Sequence, residues 1–167
     1  MKHHRYILTE QDRQRITGIL ITEIMADPTV AFAYLFGSML DANTVHDVDV
    51  GIYLDPFEAT QQTEIAASLA QRLTNAAGLP VDVRILNQAP VTFLYHAIRG
   101  HLLVSQNDDL LTSTLEDVSR RYLDMAPFLL QATKEAFAAE TYHINTLSPA
   151  LICLPPSSVS TAAVRRM

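Results

Sequence analysis

Two neighbouring motifs, Leu35-Phe36-Gly37-Ser38 and Asp47-Val48-Asp49, are separated by eight residues and decide the predicted fold. The apolar run from Val30 to Phe36 has the length of a strand and ends at a Gly-Ser turn signal. In the second motif the aspartates alternate with valines, which predicts another strand that is buried on one face. Because side chains alternate along a strand, Asp47 and Asp49 project from the same face.

These paired carboxylates favour a divalent cation site. No lysine or arginine lies within several positions of Asp47 and Asp49, so their mutual repulsion is costly unless a cation neutralises it. Mg²⁺ usually takes one or two carboxylates together with phosphate oxygens. An isolated Asp-x-Asp is common on exposed strands, but the pair following a strand and a Gly-Ser turn indicates a nucleotide–metal site.

Further residues fit the same site. Gly37 lets a phosphate approach the backbone closely, and the Ser38 hydroxyl and nearby amides can hold its oxygens. Asp82 lies on a third predicted strand, Val81 to Leu86, where it shares one face with Arg84. A third carboxylate in the cleft would hold a second ion or take the proton from an attacking hydroxyl. Arg84 is expected either to contact phosphate or to orient Asp82 through a salt bridge.

The remaining periodicity predicts an α/β (α+β) domain. Thr9 and Asp12 resemble a capping box, followed by a helix to about residue 26. Further helices are predicted at residues 58–77 and 91–98, and an edge strand at residues 102–104. We expect a small, mixed, twisted sheet with helices on one side and the acidic cleft on the other.

The C-terminal third is predicted to be helical and then irregular. An amphipathic helix includes Leu111 to Tyr122, Pro127 interrupts it, and a last helix follows over residues 128–139. Residues 141–167 mix proline, serine and threonine without a period. The predicted organisation is an α/β domain at 1–105, a helical segment packed on it at 106–140, and a tail at 141–167.

Composition excludes several classes. At 167 residues the chain has the length of about one domain, and its net charge of −6 argues against direct nucleic-acid binding. No apolar run approaches the roughly 20 residues of a membrane span, and no secretory signal is evident. The single cysteine, Cys153, cannot form an internal disulfide, so a cytoplasmic location is expected.

The stretch from Tyr34 to Leu54, together with Val81 to Leu86, resembles the minimal nucleotidyltransferases of the polymerase-β superfamily. Within that superfamily it is most similar to the MNT antitoxins of HEPN/MNT toxin–antitoxin pairs. This closer similarity extends to about residue 138, through Phe93-Leu94-Tyr95-His96 and the segment from Arg121 to Phe128. The resemblance implies the polymerase-β-like nucleotidyltransferase fold and a hetero-oligomer with a HEPN toxin.

The resemblance also implies a reaction. MNT antitoxins use ATP and Mg²⁺ to transfer AMP onto a tyrosine of the HEPN toxin, an RNase, and so silence it. By position, Gly37 and Ser38 would hold the triphosphate. Asp47 and Asp49 would bind the metal ions, and Asp82 would be the candidate base and a further metal ligand.

The chain departs from that family in one loop. The connection between Ser38 and Asp47 is shorter than usual, and Met39-Leu40-Asp41 stands where relatives often carry a basic residue. Phosphate binding is then weaker or passes to Arg84. Two other functions stay open: a non-catalytic antitoxin that acts by binding alone, and a transferase for a small molecule such as an aminoglycoside.

Overall fold

Eleven helices and strands are present in the computed structural model, which describes residues 5–42 and 44–145, with side chains as far as residue 135. In chain order they are β1 (Tyr6–Ile7), α1 (Glu10–Met25), β2 (Val30–Phe36), α2 (Ser38–Asp41), β3 (Thr44–Val45), β4 (Val48–Leu54), α3 (Gln62–Ala77), β5 (Val81–Ile85), α4 (Val91–Ile98), β6 (His101–Ser105) and α5 (Asp108–Asn145).

The central sheet is mixed and has four strands in the order β5-β4-β2-β6. β2 is antiparallel to both β4 and β6, whereas β4 and β5 are parallel. In this register Asp49 lies opposite Phe36 on one side and opposite Asp82 on the other. The small mixed sheet flanked by helices, expected from the sequence, is confirmed.

Helices pack on both faces of the sheet, so the expectation of helices on one side only was wrong. On one face, α1 and α3 contact Val48, Val50 and Ile52 of β4. On the other face, α4 and the start of α5 contact the aromatic side chains of β2 through Ala97 and Leu111. The reason is that every residue of β2 is buried, and a strand that is apolar on both faces must be covered on both.

Helix boundaries follow local chemistry. Thr9 is the N-cap of α1, and its side chain and that of Asp12 form the reciprocal hydrogen bonds of a capping box, as predicted. Helix α3 ends at Gly78, which has the left-handed backbone conformation (φ 76°) that glycine adopts easily. No helix within the described ranges is both long enough and apolar enough to span a bilayer.

The predicted break at Pro127 is wrong, because α5 is continuous from Asp108 to Asn145 with Pro127 inside it. A proline removes one main-chain hydrogen bond, and the helix continues on both sides of it. The chain divides into two compact units, residues 1–125 and 126–167. Helix α5 includes residues 141–145, which were expected to be irregular. The rest of the predicted tail, with Cys153, lies outside the described residues.

Candidate active site

The sheet places two of the candidate acids side by side. Asp49 and Asp82 are paired residues of the parallel strands β4 and β5. The valines on either side of Asp49 are fully buried against α1 and α3, so the alternation of the strand directs Asp49 to the opposite face. Asp47 lies just before β4 and, like Asp49, is half-buried. Asp82 is on the same face as Asp49, with its side chain 40% exposed.

The pKa of Asp49 is shifted by burial and by four charged or titratable neighbours. Burial raises the pKa of the Asp49 carboxyl above its ordinary value of 3.8, and the nearby carboxylates of Asp47 and Asp82 raise that pKa further. Arg84 and His96 act in the opposite direction. The three acids are therefore close enough to repel one another, which is the electrostatic setting in which a bound cation is most favourable.

Gly37 allows the Asp49 carboxylate to take up its position. Its backbone has φ 77°, and a Cβ atom built on it would lie 2.1 Å from Oδ2 and 2.9 Å from Cγ of Asp49. No side chain fits in that space, because carbon and oxygen atoms in contact are normally more than about 3 Å apart. The sequence predicted Gly37 as a phosphate contact; the structure shows that it also makes room for the central acid.

Ser38 begins a feature that the sequence did not predict. It is the first residue of the short helix α2, whereas the sequence predicted a loop at this position. Four residues are too few to show a helical period in the sequence. Met39 fixes α2 in the core, with 2% of its surface exposed. The guanidinium of Arg13 on α1 donates hydrogen bonds to the carbonyl oxygens of Met39 and Ala42.

Arg13 is thus a candidate positioning residue that sequence reasoning missed. It precedes Met39 by 26 residues, and on its own helix it resembles any polar surface position. The only signal was the amphipathic pattern of α1, which shows where a residue faces and not what it touches. Its hydrogen bonds hold the segment that follows Gly37 and Ser38 against the first helix.

Arg84 pairs with Asp82 on the same strand. Its Nε donates to Oδ2 of Asp82 at 2.8 Å, and the two side chains are 61% and 40% exposed. Of the two expectations for Arg84, the salt bridge is the one present. Pairs exposed to this degree contribute roughly 0–1 kcal/mol, so a phosphate could displace the carboxylate at little cost.

The acids fit a metal that is completed by its substrate. Within residues 5–42 and 44–135, no group of three or more His, Cys, Asp or Glu side chains is arranged to hold a metal ion by itself. Mg²⁺ does not need such a cage, since it usually keeps several waters and takes one or two carboxylates plus phosphate oxygens. Asp47 and Asp49 supply hard oxygen ligands of that kind, so the donor set fits Mg²⁺ bound with a nucleotide.

Two cavities within the first unit are each lined by a residue that contacts one of the acids: Gly37 beside Asp49 and Arg84 beside Asp82. One, of about 340 Å³, is lined by Phe36, Gly37, His96 and Arg99 among others. In it the Phe36 ring packs edge-to-face on His96, with ring centroids 6.1 Å apart. The other, of about 520 Å³, lies along β5 and includes Arg84.

Comparison with known proteins gives one family and a set of related folds. Residues 20–109, more than half of the chain, match the family described as polymerase beta, nucleotidyltransferase. No curated protein matches the chain. One similar solved structure contains a tri-AMPylated HEPN toxin of Shewanella oneidensis in complex with MNT antitoxin. Its identity is 20% over 72% of this chain and 98% of that chain, with a TM-score of 0.51.

A second similar structure is a toxin–antitoxin complex with AMP-PNP. It is 20% identical over 70% of this chain and 98% of that chain, with a TM-score of 0.52. At this level of identity the likeness establishes a shared fold, and the polymerase-β-like fold expected from the sequence is thereby confirmed.

Proposed function

This chain belongs to the polymerase beta nucleotidyltransferase family, and from that premise we propose that it is an antitoxin that transfers AMP from ATP to a tyrosine of a HEPN-family toxin. One observation carries the proposal: the Asp49 carboxylate lies against the backbone of Gly37 and within the electrostatic reach of Asp47 and Asp82. Support also comes from the fold shared with a complex of MNT antitoxin and AMPylated HEPN toxin. The expected cytoplasmic location and hetero-oligomer belong to the same proposal.

The nucleotide would bind at the end of β2. Gly37 leaves the backbone accessible, and Ser38 offers a hydroxyl and a main-chain amide to phosphate oxygens. Arg84 can exchange the Asp82 carboxylate for a phosphate oxygen, because its present ion pair is exposed. Asp47 and Asp49 would hold Mg²⁺, which when bound neutralises phosphate charge and aligns the triphosphate.

The chemical step is a displacement at the α-phosphorus. The phenolic oxygen of the acceptor tyrosine forms the new bond to that phosphorus. The bond from the α-phosphorus to the oxygen that bridges to the β-phosphorus breaks, and pyrophosphate leaves with the electron pair. Asp82 would take the phenolic proton. Its place beside Asp49 in the strand register supports this role.

A second candidate is an antitoxin that acts by binding alone. The observation in its favour is that Arg84 already occupies the candidate base, at 2.8 Å from Oδ2 of Asp82. The absence of a basic residue from Met39-Leu40-Asp41 points in the same direction. In this case the three acids would be present but would catalyse no AMP transfer, and neutralisation of the toxin would not need ATP.

One assay separates these candidates. The chain is incubated with labelled ATP, Mg²⁺ and the purified protein encoded by the neighbouring gene, and label on that protein is measured. The proposed activity predicts label on tyrosine that is lost in Asp47→Asn and in Asp49→Asn. Toxin neutralisation that persists in those variants, without label on wild-type reactions, would establish the binding-only antitoxin instead.

A further inference from the structure

The strand order gives the proposed reaction a direction across the sheet. Gly37 follows β2, Asp49 is on β4, and Asp82 is on β5, the outermost strand on that side. In an in-line displacement the attacking and leaving oxygens lie on opposite sides of the phosphorus. If the departing phosphates are held at Gly37, attack comes from the side of β5.

A cavity of about 520 Å³ lies on that side, along the outer edge of β5. Its floor includes Val83, Arg84 and Ile85 of the strand. One wall comes from the first turns of α3 and includes Thr63, and the other from the start of α4 and includes Phe93. This volume lies within the range of about 300–1,000 Å³ that is typical of ligand sites.

The main-chain hydrogen bonds show which groups of β5 face this cavity. The amide of Val48 donates to the carbonyl of Pro80, and the amide of Leu86 donates to the carbonyl of Ile52, both on the side of β4. Main-chain groups of a strand alternate in direction, so even-numbered residues of β5 face β4 and odd-numbered residues face outwards.

Val81 confirms this assignment, because its amide points away from β4 and donates to the Thr74 hydroxyl at 3.0 Å. The amides and carbonyls of Val83 and Ile85 therefore point outwards, to the cavity. In the part of the chain that the structure describes, no strand pairs with this side of β5. An edge of this kind is a template for an added strand.

We propose that this cavity receives the acceptor polypeptide as an extended segment that pairs with the outer edge of β5. The inference rests on the proposed function and names the substrate's mode of binding. Residues paired across neighbouring strands point to the same face. The tyrosine opposite Asp82 or Arg84 then stands on the acid face, and its hydroxyl approaches from the side that the strand order requires.

The lining fits a neutral aromatic acceptor better than a polyphosphate. Pro90 and Phe93 offer apolar surface, and Thr63 and Gln88 are polar without charge. Among the described residues that line the cavity, Arg84 alone carries a formal charge, so the rest of the lining offers no cation to a polyphosphate. A tyrosine has the matching combination of an apolar ring and a hydroxyl group.

Bulky substitutions in the lining test the proposal. Thr63 and Gln88 are exposed, so Thr63→Trp and Gln88→Trp fill the cavity without disturbing the core. Ser68, also exposed and on α3, does not line it, so Ser68→Trp is the matched control. We expect kcat/KM for AMP transfer to the neighbouring-gene product to fall about tenfold or more in the two cavity variants, with Mg·ATP affinity changed less than about twofold in all three.

Hydrogen exchange on the complex reports acceptor binding independently of turnover. Adding the neighbouring-gene product is expected to slow exchange at the Val83 and Ile85 amides in wild type and in Ser68→Trp, but not in Thr63→Trp. Wild-type transfer that is undiminished in both cavity variants, with unchanged exchange at β5, would overturn this inference alone. Slowed exchange at β5 without any AMP transfer would support pairing of the acceptor with β5 and refute the proposed function. Loss of Mg·ATP binding in the cavity variants would assign the cavity to the nucleotide and overturn the inference.

Discussion

Replacing Gly37 with alanine perturbs the acid cluster by a single methyl group. The new Cβ would lie 2.1 Å from Oδ2 of Asp49, so the carboxylate must move by roughly 1 Å to reach an ordinary contact distance. A displacement of that size in a catalytic group typically costs about 100-fold in rate. The backbone at φ 77° and ψ −156° adds strain of about 1–3 kcal/mol for any residue with a Cβ atom. We therefore expect kcat/KM for AMP transfer to fall about 100-fold.

Gly78→Ala is the matched control for this prediction. Gly78 also has a positive φ, of 76°, but a Cβ atom there meets nothing within 4 Å. It should lose about 1 kcal/mol of stability and keep its transferase activity. Urea unfolding gives the stability of both variants, and steady-state transfer of labelled AMP gives kcat/KM. If Gly37→Ala retains wild-type kcat/KM, the contact between the glycine and the Asp49 carboxylate has no bearing on the reaction.

Three further substitutions test other parts of the site. The pKa of Asp49 is raised above 3.8 in the folded state, so ionisation of this carboxyl lowers the stability of the folded protein as the pH rises from about 3.8 through the raised pKa, and the penalty is constant at higher pH. Asp49→Asn should raise the metal-free unfolding free energy by on the order of 1 kcal/mol at about pH 7 and by nothing at about pH 3; equal stability at both pH values would contradict the repulsion. Arg13→Gln should loosen α2 and lower kcat/KM about tenfold. Arg15→Gln, on the exposed side of α1, is the control and should keep wild-type kcat/KM. Similar kinetics for the two variants would show that Arg13 does not position the site. Arg84→Gln should weaken ATP binding about tenfold at low salt, as measured by calorimetry. The control is Arg120→Gln, because Arg120 pairs with Asp117 on α5. A loss of ATP affinity no larger than that of the control would exclude a phosphate contact by Arg84.

Local sequence patterns were sufficient to predict three strands of the central sheet. The period-two patterns around Asp49 and Asp82 identified β4 and β5, and the apolar run ending at Phe36 identified β2. Alternation also predicted that Asp47 and Asp49 project from the same face, because that follows from the backbone geometry of a single strand. The parallel pairing that sets Asp49 beside Asp82 depends on a crossover through α3, which periodicity does not specify.

Contacts between distant segments could not be predicted in this way. The hydrogen bonds from Arg13 to the carbonyls after Ser38 join α1 to α2 across the sequence, and no local pattern encodes them. The cover on the second face of β2 was overlooked because an apolar run shows that a strand is buried but not by what. Helix α5 also continues through Pro127. The helical segments on both sides of Pro127 outweigh the local tendency of proline to end a helix.

In the proposed function, Asp47, Asp49 and Asp82 form a site for a metal-bound nucleotide. Calorimetric titration of ATP into the metal-free chain, with and without Mg²⁺, tests it without needing a protein partner. We expect binding that requires Mg²⁺ and that disappears in Asp49→Asn while this variant remains folded. Affinity for ATP that is the same without Mg²⁺, or that survives in Asp49→Asn, would contradict the claim.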